Sequence, residues 1–194
     1  MSMRTVYLFT IPLLWTAFGI SLLLPVNNQK ASLRHEGRVS WIVHNVPIIL
    51  TFLLVGWPRL PVGFLGERFL RWHPANFWIG TLLVLAGLGL AICARLALRG
   101  NWSITVEVKQ QHELIRSGPY RWVRHPIYTG LLIAFVGTAL TVGQWRGIFG
   151  VVIVYLTLRM KSAMEERYML ETFGDSYRQY QHEVPALVPC LHRA

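Results

Sequence analysis

Arg124, His125 and Tyr128 stand together in the run RHPIY, and two adjacent carboxylates, Glu165 and Glu166, follow further along the chain. The first group offers a guanidinium, an imidazole and a phenol; the second offers two anions. The second group lies just past the next apolar segments, ready to fold back onto the first, so the two read as one polar site at a membrane surface. Each residue also has a plainer reading. His125, just before a proline, could simply bond a backbone carbonyl at a segment boundary. Glu165 and Glu166 are neighbours, so on a helix they point about 100° apart, which speaks against both facing one ligand. They read equally well as a solvated helix face or as partners of Arg159, Lys161 or Arg167.

The elements that must position these groups are mostly apolar. Hydrophobic residues make up 53% of the 194 and charged residues only 14%, well below the share of about 25% in a soluble domain. This places the chain in the membrane class, and its eight Trp and seven Tyr suit anchoring at headgroup level. Thr5 to Gln29 carries no charge and is long enough to cross a bilayer; it reads as a retained span, not a cleaved signal. Trp41 to Trp57 is a second span, with His44, Asn45 and Pro47 giving it a polar, kinked face. Asn76 to Ala94 is a third. Ile127 to Val142 and Trp145 to Leu158 form a tight helical hairpin about Gly143-Gln144. A charged helix then runs from Arg159 to about Phe173, stopped by Gly174, before a shorter helix from Asp175 to Glu183. Gly118-Pro119 is a turn signal, and Pro126 is suited to begin a helix.

The expected fold is therefore all-α, an integral membrane helical bundle of about five spans. Residues 1–94 supply three N-terminal spans, and residues 95–194 supply a core with the hairpin and a C-terminal helix. Five spans leave the chain ends on opposite sides. The side holding Lys30–Arg38, Arg95–Arg124 and the C-terminus carries 14 of the 19 Lys and Arg residues. The positive-inside rule makes that side cytoplasmic and puts the N-terminus outside. Both polar groups fall on the cytoplasmic side.

The net charge of +10 lies in loops flanking apolar spans, which favours anionic membrane lipids as partners and not nucleic acid. Cys93 and Cys190 make no metal motif, and no metal is expected. Gly87-Leu88-Gly89 sits inside an apolar span, where close helix packing is the reading and not a dinucleotide loop. Asn101-Trp102-Ser103 matches a glycosylation sequon by chance if it is cytoplasmic. The residues alone thus reach an integral membrane protein with a polar cytoplasmic site.

Six motifs carry the reading further. They are Asn101-Trp102-Ser103, His112-Glu113-Leu114-Ile115, Ser117-Gly118-Pro119-Tyr120, Arg124 through Gly130, Glu165-Glu166, and Phe173 through Tyr177. In this order and spacing they resemble the isoprenylcysteine carboxyl methyltransferase family and its wider kin, the phospholipid N-methyltransferases. The resemblance covers roughly residues 95–190, about half the chain. It implies a cofactor site for S-adenosyl-L-methionine at the cytoplasmic C-terminal side. By this resemblance His112, Glu113, Leu114 and Ile115 line the adenosine pocket, largely through their backbone. Tyr120, His125, Pro126, Ile127 and Tyr128 close around the cofactor, and Glu165 takes the methionine ammonium.

The methyl acceptor implied is a carboxylate on a lipophilic, isoprenylcysteine-like molecule entering from the bilayer. Such a carboxylate is already ionised at pH 7 and needs no general base. Eukaryotic relatives place an arginine four residues before the glutamate to hold it. Lys161 stands there in this chain, with Arg159 just beyond, and a lysine gives a point charge in place of a bidentate fork. Glu166, left free, could act as a base, which keeps amine or thiol acceptors, on lipids or small molecules, in play. A non-catalytic membrane protein that binds a ligand is the reading from another class.

Overall fold

The computed structural model describes residues 3–24, 32–35, 38–56, 62–98, 107–109 and 114–189. Five long helices dominate: α1 (Met3–Leu23), α2 (Arg38–Gly56), α3 (Pro74–Leu98), α4 (Pro126–Val142) and α5 (Trp145–Phe173). A short α6 (Asp175–Glu183) follows. The all-α expectation holds apart from one small antiparallel ribbon, β1 (Ser32–His35) with β2 (Glu107–Lys109). That ribbon ties the connection after α1 to the connection after α3, so both lie at the same end of the bundle.

By length and composition α3 and α5 are each able to cross a membrane, while α1, α2 and α4 hold shorter apolar stretches. The outside of the bundle is as apolar as its inside: Leu13, Ile20, Leu50, Leu82, Val152 and Leu156 are all exposed. Water would penalise such a surface, whereas hydrocarbon does not distinguish it from the core.

The tightest interface is α3 against α4, and glycines make it. A Cβ at Gly87 would lie 2.4 Å from the Gly130 carbonyl oxygen, and one at Gly80 would lie 2.5 Å from that of Gly137. The reciprocal pairs run in opposite directions along the two helices, so α3 and α4 are antiparallel with their backbones in direct contact. The expectation of close packing is met by Gly87 but not by Gly89, which has open space around its Cα. α1 joins through Ile11 and Phe18, which pack with Val84, Leu88, Ala91 and Ala134. On the other flank α5 returns beside α4, with Gly147 against Ala139, and receives α2 where Gly150 meets Thr51 and Val55. Trp15, Phe52 and Phe135 close the centre with ring centroids 4.7–5.0 Å apart.

Two buried arginines finish the outer helices. Arg95 at the end of α3 donates to the Ser21, Leu22 and Leu24 carbonyls at the end of α1. Arg146 at the start of α5 donates to Leu54 O near the end of α2. Each satisfies carbonyls that a helix C-terminus leaves without intrahelical donors.

α5 is one uninterrupted helix of 29 residues, since no Gly or Pro occurs between Val151 and Phe173. At 1.5 Å per residue it is about 43 Å long, more than the roughly 30 Å of bilayer hydrocarbon. With Trp145 at one interface, Glu165 stands about 30 Å along, at the other edge. The turns beyond it, which carry Glu166, Arg167 and Glu171, project out of the apolar layer.

Candidate functional site

The site forms where the polar end of α5 meets the start of α4. Gly118, at a φ of 60°, opens a 3-10 turn over Gly118–Arg121 with Pro119 in its first turn. The chain then passes Arg124 and His125 into α4, which Pro126 begins. Residues 184–187 follow α6 as a strap alongside this entry. Arg124 N–H donates to Pro185 O at 2.9 Å and His125 N–H to Ala186 O at 3.0 Å. The Thr129 hydroxyl donates to Leu187 O at 2.5 Å. The strap thereby satisfies backbone donors that a helix start leaves open.

His125 is the centre of the site. Its Nδ1 lies 3.3 Å from Glu165 Oε2 and its Nε2 lies 3.1 Å from Glu166 Oε1. Tyr128 stacks on the ring, nearly parallel at 7° with centroids 5.5 Å apart, and donates its hydroxyl to Glu165 Oε1. The two adjacent glutamates, expected to point too far apart to face one ligand, do meet one side chain of the protein. The imidazole enters between them, and each carboxylate reaches a different ring nitrogen.

Glu166 is also not free. Its Oε1 accepts from Arg124 Nε at 2.9 Å and Nη2 at 2.7 Å, and its Oε2 accepts from Gln181 Nε2 at 3.0 Å. Burial pushes its carboxyl up, but the hydrogen bonds from His125 and Arg124 and their charges prevail and hold it at about 2. For Glu165, burial again acts upward and is overcome by His125, Tyr128 and the nearby Lys161, leaving it below the usual range. Burial alone would lower His125; the two carboxylates outweigh it and raise it above its ordinary 6.5. Both ring nitrogens face acceptors, which only the doubly protonated ring can serve.

The remaining residues expected at the site divide. Lys161 is buried one turn before Glu165, its Nζ 6.0 Å from the Tyr128 ring centroid. Tyr120 is buried and its carbonyl accepts from the Tyr180 hydroxyl at 2.5 Å; burial pushes the phenols of both up, so they stay neutral. Leu114 and Ile115 are half-buried just before the turn. Pro126 is fully buried, while Ile127, about 100° around the helix from Tyr128, packs toward the α1–α3 cluster. Arg159 is exposed; two residues from Lys161, it lies about 200° around α5 and is not part of the cluster. His112 and Glu113 lie outside the described residues, as does Asn101-Trp102-Ser103.

Arg124 was expected in the polar site but not as the partner of Glu166, and the α6 face was not foreseen as part of this centre. Arg124 Nη1 donates to Gln181 O at 3.0 Å and to Val184 O, so it closes the C-terminus of α6 while gripping Glu166. Tyr177, Tyr180 and Gln181 belong to that face. Their signal was the spacing of two tyrosines three apart in an otherwise polar helix.

Residues 75–176 match the phospholipid methyltransferase family. The chain belongs to this family. Among its relatives, the protein-S-isoprenylcysteine O-methyltransferase of Homo sapiens is 30% identical over 179 residues, covering 88% of this chain and 60% of that protein. That of Schizosaccharomyces pombe is 34% identical over 84 residues, 42% of this chain and 35% of that one. A methanethiol S-methyltransferase of Mycobacterium tuberculosis is 42% identical over 78 residues, 38% of this chain and 30% of that one. The chain thus spans less than two thirds of each of these relatives. The fold is also similar to the solved structure of a eukaryotic intramembrane Ras methyltransferase, with a TM-score of 0.57 and 21% identity over 78% of this chain and 51% of that one. A phospholipid methyltransferase fold of this kind is an integral membrane fold.

Proposed function

We propose that this protein is an S-adenosyl-L-methionine-dependent methyltransferase whose acceptor is a carboxylate on a lipophilic, isoprenylcysteine-like molecule. The observation that carries the reading is Glu165. It is a carboxylate held ionised at the apolar boundary by Tyr128, His125 and Lys161, in a chain of a methyltransferase family. A carboxylate has about four acceptor positions, so two donors leave room for the ammonium of the cofactor. The donor set fits that group: Glu165 for the ammonium, and the ring of Tyr128 with Tyr120, Leu114 and Ile115 as walls for the flat base. His112 and Glu113 belong to the same set by resemblance.

When bound, S-adenosyl-L-methionine supplies an electrophilic methyl on a sulfonium, and the acceptor oxygen forms the new bond as the carbon–sulfur bond breaks. The residues of the chain then have to position and exclude water. Lys161 orients the acceptor carboxylate, the apolar helices α4 and α5 hold its lipid portion, and the active site lies on the cytoplasmic side. No group here has to take a proton. A second reading, a thiol acceptor, draws on the methanethiol S-methyltransferase similarity and on Lys161 in the arginine's place. Glu166, at about 2, is a poor base for it, so the thiol's own ionisation would have to serve.

The test is transfer of a tritiated methyl group from S-adenosyl-L-methionine to prenylated cysteine, lipid extracts and small thiols. The carboxylate reading expects a product that releases volatile methanol in alkali, as an ester does. A product stable to alkali would move the assignment to a thioether or amine. Binding of the cofactor without transfer to any acceptor would leave a ligand-binding protein.

A further inference from the structure

We propose that Glu166, Arg124, Gln181 and the 184–187 strap form one positioning device that fixes the His125 ring against Glu165, so that Glu166 acts on the reaction only through His125. The inference deepens the reading above and rests on it wherever the cofactor is concerned.

The geometry is that of a clamp closed in sequence. The strap takes the backbone N–H groups of Arg124 and His125, which sets where the two side chains start. Arg124 then reaches the last carbonyls of α6 with one nitrogen and Glu166 with its other two. Gln181, on α6, takes the second oxygen of Glu166. The carboxylate so fixed meets His125 Nε2, and the opposite nitrogen of the same ring meets Glu165. A planar ring held at both nitrogens and stacked on Tyr128 cannot turn about its Cβ–Cγ bond without breaking a contact. Glu166 is occupied by donors from Arg124, His125 and Gln181 and its side chain is only 15% exposed, so it is poorly placed to touch a substrate. Glu165, its side chain 25% exposed, is held by His125 and Tyr128.

The charged and titratable groups around the ring are known from each element that meets it. α5 brings Glu165, Glu166 and Lys161; the turn and the start of α4 bring Arg124, Tyr120 and Tyr128; α6 brings Tyr177 and Tyr180. Burial holds the phenols of Tyr120, Tyr177 and Tyr180 up, so these three stay neutral and the two carboxylates govern the ring's proton.

The experiment uses the full chain in detergent or nanodiscs, with histidine labelled at Cε1 for magnetic resonance and His125 assigned by its loss in His125→Gln. In the wild type the His125 titration midpoint is expected above its ordinary 6.5. Glu166→Gln is expected to bring it down, and to raise the Kd for S-adenosyl-L-methionine, measured by calorimetry, about tenfold. Gln181→Ala should move both in the same direction by less, while Gln179→Ala, on the exposed face of α6, should move neither. A folded Glu166→Gln with an unmoved His125 midpoint would overturn the device. So would an unchanged Kd with a collapsed kcat at saturating cofactor, since that marks a group acting on the reacting atoms. If Glu166→Gln does not fold, Gln181→Ala decides alone, and an unmoved midpoint there counts against the device. A wild type that binds no S-adenosyl-L-methionine, with the midpoint still falling in Glu166→Gln, sinks the methyltransferase reading and upholds the device.

Discussion

Glu165 and Glu166 share a backbone and differ in their surroundings, so their substitutions should differ too. Glu165→Gln should weaken S-adenosyl-L-methionine binding by about 1.5–3 kcal/mol, the scale of a hydrogen bond to a charged group. Glu166→Gln should cost less, about 1.4 kcal/mol for the tenfold change expected of it; calorimetry giving the reverse order would reassign the pair. The same groups set a pH window for stability. Glu166 lies below its ordinary 4.5 when folded, so its contribution is present above that value and is lost as the pH falls toward about 2. His125 is raised above 6.5, so its contribution is complete below 6.5 and is lost as the pH rises through the folded value. Thermal melts should therefore be highest between about pH 4.5 and 6.5 for this cluster's share, and His125→Gln should flatten the alkaline limb. Lys161 tests the acceptor. With a carboxylate acceptor, Lys161→Arg keeps or improves activity by supplying the fork, and Lys161→Met raises the acceptor KM about tenfold with a smaller effect on cofactor affinity. A rate that climbs from pH 6 to 9 would instead report a thiol or amine losing its proton.

At the scale of elements, the α3–α4 interface holds the start of α4, and with it His125, in place. Gly87 and Gly130 bring the backbones so close that a single methyl group meets a carbonyl oxygen at 2.4 Å. Gly87→Ala should lower stability by about 1–3 kcal/mol, the usual cost of overpacking a tight contact. Gly89→Ala, where nothing lies within 4 Å, should be neutral or slightly stabilising, because alanine is the better helix former. Melts of the two variants in the same detergent provide the comparison. Equal gains at both positions would mean that helix propensity, and not the interface, is being measured. α5 carries the complementary lesson: its apolar part and charged part are one rod, so the depth of Trp145 in one interface sets the height of Glu165 at the other.

For the whole molecule, direction across the membrane follows from where the basic residues lie. The β1–β2 ribbon joins the connections after α1 and α3 at one end, the end where α4 begins. With five spans and most of the basic residues there, we expect that end in the cytoplasm and the N-terminus outside. Reporter fusions at residues 2 and 194 check this: opposite signals are expected, and a cytoplasmic signal from both would require an even number of spans.

Sequence alone determined what depends on near neighbours. Apolar runs located the five long helices, Gly143 marked the hairpin, and Gly174 separated α5 from an α6 at Asp175–Glu183, as read from the sequence. The resemblance pointed to the His125 and Glu165 region as the candidate cofactor site. Tertiary structure decided what depends on how helices are rotated about one another. It placed the His125 ring between two carboxylates of α5, turned Ile127 into the core and Arg159 outward, and enclosed Glu166 within Arg124 and Gln181. The physical reason is that helical periodicity relates residues three and four apart, whereas these contacts join groups 15–60 positions apart. Their geometry follows from the glycine-tight approach of α3 to α4 and from a strap whose carbonyls no sequence pattern had marked.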